Sequence, residues 1–274
     1  MSAQKMITDI SSAPAGRLAI LFGGLARLGA GLLAPPTCCL CGGLGQAVSG
    51  SAWGLDLCVH CEAACPGLTR ACPRCALPRS ADAASGPCAD CTVQPPPFDA
   101  TWAPFAYGPP VDALVRELKF HNALPHARVL GMLIAARRRP AGDLPDAVIP
   151  VPLSRVRFAE RGFNQATEIA RHAARHLGLP LRTGLLRRTR DTRAQTGLGA
   201  ADRRANLRDA FRVTGPPPAR VALVDDVLTT GSTAAEAART LKAAGAARVE
   251  LWVAARALGH QAQDGPGLDD REAI

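Results

Sequence analysis

The stretch V-A-L-V-D-D-V-L-T-T-G-S-T, Val221 to Thr233, decides how the chain is read. Val221 to Val224 form an unbroken apolar run, which suits a short strand buried on both faces of a parallel sheet. Asp225 and Asp226 follow at once. Thr229, Thr230, Gly231, Ser232 and Thr233 then lead into an Ala-rich helical pattern. The order is strand, acid pair, hydroxyl-and-glycine turn, helix. In open α/β sheets ligands sit at the carboxyl ends of strands. A small turn feeding a helix N-terminus offers backbone N–H groups to an anion. Four hydroxyls add donors, and two carboxylates beside them can accept from sugar hydroxyls or hold magnesium with them. Phosphate donors next to diol acceptors point to a sugar phosphate. The bland alternative makes Asp225 and Asp226 ordinary turn and capping acids; the complete ordered string favours the site. No Lys follows Gly231, so the string is not a P-loop.

Working outward, the remaining elements alternate in the same α/β style. Ala100 to Tyr107 reads as a strand after the linker Q-P-P-P. Val111, Leu114, Val115 and Leu118 give the i, i+3, i+4, i+7 spacing of an amphipathic helix, and a second helix is expected from Pro125 to Arg138. Ala147 to Ile149 form a buried strand stopped by Pro150 and Pro152. Arg155, Arg157 and Arg161 are expected on a loop before a helix that Gly178 ends. This loop is a second anion-site geometry, since Arg suits bidentate phosphate contacts; surface arginines are the alternative. Leu185 to Leu186, Phe211 to Val213 and Val249 to Ala254 read as further strands. Residues 188–204 show no clear periodicity and read as a lid or a plain connection.

The ten cysteines bear on a different part of the chain. Eight form four C-x-x-C pairs: Cys38/Cys41, Cys58/Cys61, Cys72/Cys75 and Cys88/Cys91. Four such knuckles ahead of an α/β domain read as two zinc sites, paired in sequence order, which hold a module too small to fold on its own core. A disulfide framework is the alternative and needs an oxidising compartment. Cys39 and Cys65 are left over; Cys39 or His60 could substitute as a ligand, with a bystander role the favoured reading of each.

The formal net charge is +9. Residues 151–212 contain fourteen Arg and no Lys against five acids, an excess equal to that of the whole chain. Such a concentration points to an anionic partner: phosphate, pyrophosphate or nucleic acid. Few aromatics accompany these arginines, which argues against a stacking platform for single strands. Residues 17–33 are apolar but too short to span a membrane and are expected to form a short packed helix. No clear cleavage site follows them, so a cytoplasmic location is expected.

These landmarks resemble the ComF/GntX family of competence-associated, phosphoribosyltransferase-like proteins, from about Leu32 to Arg256. The resemblance rests on C-C-L-C-G, C-P-R-C, L-K-F at 118–120, P-V-P-L with R-G-F-N-Q, R-T-R-D-T-R-A-Q-T with R-R-A-N-L, and V-D-D-V-L-T-T-G-S-T. It implies a type I phosphoribosyltransferase fold, a mostly parallel sheet flanked by helices, behind a double zinc ribbon. The implied division is a tail and short helix over 1–36, zinc ribbons over 37–93, a phosphoribosyltransferase-like domain over 94–260 and a tail over 261–274. By the same resemblance, phosphoribosyl pyrophosphate (PRPP) with Mg2+ would bind Asp225, Asp226 and Thr229 to Thr233. Arg155 and Arg161 would lie on the pyrophosphate side, and Arg188, Arg190 and Gln195 on a flexible loop. Two structural Zn2+ ions would sit on the eight paired cysteines.

Purine-salvage members of the wider superfamily carry an Asp where Thr229 stands, so no general base is evident in this loop. Two functions follow. One is a phosphoribosyltransferase of unknown acceptor acting in DNA uptake and competence. The other is a non-catalytic module that senses PRPP or binds single-stranded DNA, alone or with competence-machinery proteins.

Overall fold

The computed structural model describes residues 35–47, 54–83, 85–138, 143–190 and 209–258. The expected N-terminal helix, most of the flexible loop including Gln195, and the C-terminal tail lie outside these residues. Two short helices, α1 (Val59–Ala64) and α2 (Ala89–Val93), belong to the cysteine-rich part. The rest runs β1 (Ala100–Trp102), β2 (Phe105–Ala106), α3 (Val111–Phe120), α4 (Leu124–Arg138), β3 (Ala147–Pro150), α5 (Arg155–Arg161), α6 (Gln165–Leu177), β4 (Leu186–Arg188), β5 (Phe211–Val213), β6 (Arg220–Leu228), α7 (Ser232–Ala243) and β7 (Arg248–Arg256).

The main sheet is parallel in every pairing, in the order β1–β7–β6–β3, with β2 also on β7. β6 and β7 are central and largely apolar, because a strand covered on both faces has no solvent side. Within β6 the side chains alternate between two cores. Ala222 and Val224 join the cluster made by α3, α4 and α6, while Val221 and Leu223 join the cluster around α7. The result is a three-layer α/β sandwich. Trp252 on β7 is fully buried; truncating such a residue to Ala costs about 3–5 kcal/mol. α4 and α6 pack at backbone distance: a Cβ on Gly131 would stand 2.5 Å from the Ile169 carbonyl oxygen. β4 and β5 form a separate antiparallel pair.

Three expectations change in detail. The strand over residues 100–107 is broken at Ala103 and Pro104; β1 and β2 keep one register on β7 across the break. Pro104 has no N–H for the ladder, and its carbonyl instead accepts from Leu68 N at 2.9 Å. Residues 155–161 are helix α5 rather than loop. Ser154 caps it, its side chain accepting from Arg157 N, and Gly162 ends it at φ 73. Finally, the acid pair lies within the β6 ladder, not beyond it, since pairing with β7 continues to Leu228.

Candidate functional site

The carboxyl end of β6 brings most of the expected site together. Asp226 is 5% exposed, and Asp225 is half-buried. Each carboxylate accepts a backbone N–H just after it: Asp226 N to Asp225 Oδ1 and Val227 N to Asp226 Oδ1, both 2.9 Å. Lys119 Nζ stands 2.5 Å from Asp226 Oδ2, an oxygen with no hydrogen-bonding partner besides that cation among the described residues. Burial pushes both acids up. For Asp226 burial is the largest single influence, but the charge and hydrogen bond of Lys119, with hydrogen bonds from Asp225 and Val227 N, together outweigh it and hold the carboxyl below its ordinary value. Asp225, buried beside an ionised neighbour, is raised well above it. One carboxylate is thus fixed as an anion while its neighbour takes up a proton readily, as expected for close acids that share little solvent.

Beyond the acids the chain turns. Thr229 and Thr230 are exposed, and Gly231 takes φ 78, a left-handed value that a side chain would resist. Thr230 Oγ1 and Ser232 Oγ lie 3.0 Å apart. α7 starts at Ser232 with no side-chain cap, so its first N–H groups and the hydroxyls face the same turn.

Lys119 was not predictable as a site residue from periodicity, because it lies just past the apolar face of α3. Two signals exist: Lys119 is the middle residue of the L-K-F landmark, and the chain has only three lysines, Lys5, Lys119 and Lys242, in an otherwise Arg-based cationic set. The next residue, Phe120, is 57% exposed and lies under the Arg161 guanidinium, 5.3 Å from ring centroid to Cζ. Consecutive residues of α3 therefore touch Asp226 and Arg161, which joins the second predicted anion element to the first. Arg161 Nη1 also donates to Gln165 at 3.3 Å. Arg155 lies at the exposed start of α5. Arg188 stacks on Phe211 at 5.7 Å, and its Nε donates to the Arg190 carbonyl at 3.3 Å; both belong to the β4–β5 side.

The eight paired cysteines form two groups, Cys38, Cys41, Cys58 and Cys61, and Cys72, Cys75, Cys88 and Cys91. Within each, the four sulfurs lie within 4.8 Å of one another. Cys41 Sγ to Cys58 Sγ and Cys75 Sγ to Cys88 Sγ are both 3.7 Å. Four thiolates around zinc at about 2.3 Å stand about 3.8 Å apart, so the spacing fits a tetrahedral metal. A disulfide needs about 2.05 Å, and all ten cysteines are free. Backbone N–H groups also point at the sulfurs, Cys61 N to Cys58 Sγ at 3.4 Å and Cys88 N to Cys72 Sγ at 3.2 Å. Both groups can hold a structural metal ion, with the sequential pairing expected from the knuckles. Cys39 and Cys65 stand outside them; burial raises their thiols to about 12 and about 11.

A cleft of about 810 Å³ separates the second group from the turn, with Cys75, Cys91, Phe98, Thr230, Gly231 and Arg256 in its walls. No described helix is long and apolar enough to cross a membrane.

No family model matches the chain. Among curated proteins, DNA utilization protein YhgH of Escherichia coli O157:H7 is 38% identical over 212 residues, 75% of this chain and 92% of that protein. The protein of the same name from Salmonella typhi is 37% identical over 233 residues, 83% of this chain and all of that protein. Competence protein F of Haemophilus influenzae is 37% identical over 179 residues, 62% of this chain and 78% of that protein. A solved structure, TT1426 from Thermus thermophilus, shares 19% identity at a TM-score of 0.31, covering 48% of this chain and 82% of that one. At this identity, over 92% or more of the two YhgH proteins and 78% of competence protein F, the chain belongs to the family of DNA utilization protein YhgH and competence protein F, the ComF family.

Proposed function

We propose that the chain binds PRPP, or another 5-phosphoribosyl ligand, with Mg2+ at the carboxyl end of β6, and that it acts in the handling of DNA taken up by the cell. The observation that supports this most is the junction of an acid pair, its buried member held ionised by Lys119, with a hydroxyl turn at the N-terminus of α7. In this reading Asp225 and Asp226 accept from the ribose diol. The amides and hydroxyls of Thr229 to Thr233 donate to the 5-phosphate. Arg161, braced on Phe120, and Arg155 face the pyrophosphate. Mg2+ would offset pyrophosphate charge as it leaves C1 in a transfer reaction. DNA handling is supported by the names of the relatives and by the arginine excess of residues 151–212. Transfer to an acceptor, PRPP sensing and single-strand binding use the same surfaces. The division into zinc ribbons over 37–93 and a transferase-like domain over 94–260, and a cytoplasmic setting, belong to the same proposal.

Titration of the purified protein with PRPP and Mg2+ tests the reading. Asp225→Asn with Asp226→Asn should weaken PRPP about tenfold to a hundredfold, because hydrogen bonds to charged groups contribute about 1.5–3 kcal/mol. Affinity for single-stranded DNA should stay level or rise slightly, since two negative charges are removed. No PRPP binding by the intact protein, beside tight salt-dependent DNA binding, would reject the phosphoribosyl reading and leave a nucleic-acid module.

A further inference from the structure

Arg256 ends β7 with its guanidinium buried, at 9% residue exposure. No carboxylate pairs with it among the described residues. It donates instead to four backbone carbonyls. Nε reaches Cys75 O at 2.8 Å. Nη1 reaches Leu228 O at 2.8 Å, Thr229 O at 2.5 Å and Ala257 O at 2.7 Å. Cys75 belongs to the second cysteine group; Leu228 and Thr229 enter the hydroxyl turn. The planar fork of Arg is suited to gathering acceptors that lie in different directions, which a Lys ammonium does less well. The main chain supports the same junction: Leu228 pairs with Arg256 across β6 and β7, and Ala257 N donates to Leu228 O at 2.9 Å. A buried cation costs free energy unless it is compensated. Here the compensation comes from the dipoles of the four carbonyls it gathers. Four thiolates around a divalent metal keep a net negative charge, so a filled second site supplies a standing counter-charge.

We infer that Arg256 is a positioning residue that fixes the backbone of the hydroxyl turn against the second cysteine site, so that metal occupancy there sets how ordered the turn is. The turn lines the cleft beside Leu228 and Phe98, where a Cβ on Gly231 would stand 3.4 Å from Leu228 Cδ1 and 4.0 Å from the Phe98 ring. The guanidinium adds directed hydrogen bonds to this packing. The inference deepens the ligand reading above and rests on it only for its consequence in binding.

The test is hydrogen exchange on the full-length, zinc-loaded protein, read at the amides of residues 229–233. Arg256→Ala should raise exchange there about tenfold, through loss of several hydrogen bonds to the turn, while zinc content stays at the wild-type value. Cys72→Ser with Cys91→Ser should raise exchange at the same amides by a similar factor. Combining the two changes should add nothing further, because they break one connection. Cys38→Ser with Cys41→Ser should leave these amides unchanged. If Arg256→Ala fails to fold, Arg256→Lys keeps the charge and should give a smaller rise. If the cysteine variant fails to fold, stepwise chelation of the wild-type protein, with released zinc counted, replaces it. Unchanged protection on loss of the second site, or fully additive effects, would overturn the inference. PRPP titration of the same samples separates the two proposals. Coupled exchange without PRPP binding removes the ligand reading and keeps the connection; PRPP binding with uncoupled exchange does the reverse.

Discussion

The two cysteine groups have the same ligands and nearly the same sulfur spacing, yet they brace different parts of the molecule. The first is tied to the helical layer. Arg128 on α4 forms an ion pair with Asp56 and donates to Gly54 O, and Gln46 Nε2 donates to Glu62 at 2.8 Å. Cys38, Leu55 and Leu57 are buried in the cluster that contains α3 and α4. The second is tied to the sheet and to the turn. Thr101 N donates to Pro73 O at 2.8 Å, and Arg256 reaches Cys75 O. Ligand chemistry alone does not say what a structural metal is for; its surroundings do. The first group stands behind α3, the helix that carries Lys119. The second stands behind β7 and the carbonyls of Leu228 and Thr229.

This contrast can be broken by experiment. The largest effect is expected from Cys72→Ser with Cys91→Ser. Structural zinc contributes folding energy directly. Loss of several kcal/mol corresponds to a fall in thermal midpoint of about 10 °C in a chain of this size, with PRPP affinity lost alongside. Calorimetry and ligand titration read both. Next comes Cys38→Ser with Cys58→Ser, which should lower the midpoint by a comparable amount while any protein still folded keeps PRPP affinity within about threefold. Equal losses of affinity in the two variants would erase the distinction.

Lys119→Met sharpens the sugar side. Without the cation, burial dominates Asp226, and its carboxyl should rise. In the wild type Asp226 is depressed below 3.8, so its stabilising contribution is complete above that pH and fades as pH falls through the depressed value. Asp225 has the opposite sign: its raised carboxyl favours the fold as pH falls and works against it once ionised. The variant should therefore move the acid limb of PRPP binding to higher pH, and a pH series of titrations checks this. Identical limbs in both proteins would mean that the ion pair does not tune the site. The smallest effect belongs to Arg155→Ala with Arg161→Ala. These residues lie at the two ends of α5, and DNA and PRPP affinity should each fall about threefold to tenfold, DNA with the steeper salt dependence.

Much of this was legible in the chain because the informative residues are contiguous. The acid pair, the hydroxyl turn and each C-x-x-C sit within a few positions, and strand-to-helix order fixes their geometry. The α/β class followed from the apolar runs of β6 and β7. What escaped depends on distant partners. Lys119 gains its role only when α3 packs against β6. Arg256 bonds to carbonyls, which leave no mark in residue identity. Helix α5 has no buried face, and Val156 and Phe158 are both more than half exposed, so periodicity had nothing to register; only Ser154 and Gly162 signalled its ends.

The broken edge strand has a further consequence. A sheet margin with open N–H and C=O groups recruits strands from other molecules. Here Gly67 bridges Phe105 in antiparallel fashion, Leu68 N binds Pro104 O and Ala106 N binds Pro66 O. At the other margin Val148 is bonded on both sides of its peptide, to Pro180 O and Arg182 N. The segment between the two metal groups is thus also a cover for the edge. A chain synthesised faster than it is supplied with metal would present that edge uncovered, and its hazard would be self-association through β-pairing rather than simple loss of a ligand site.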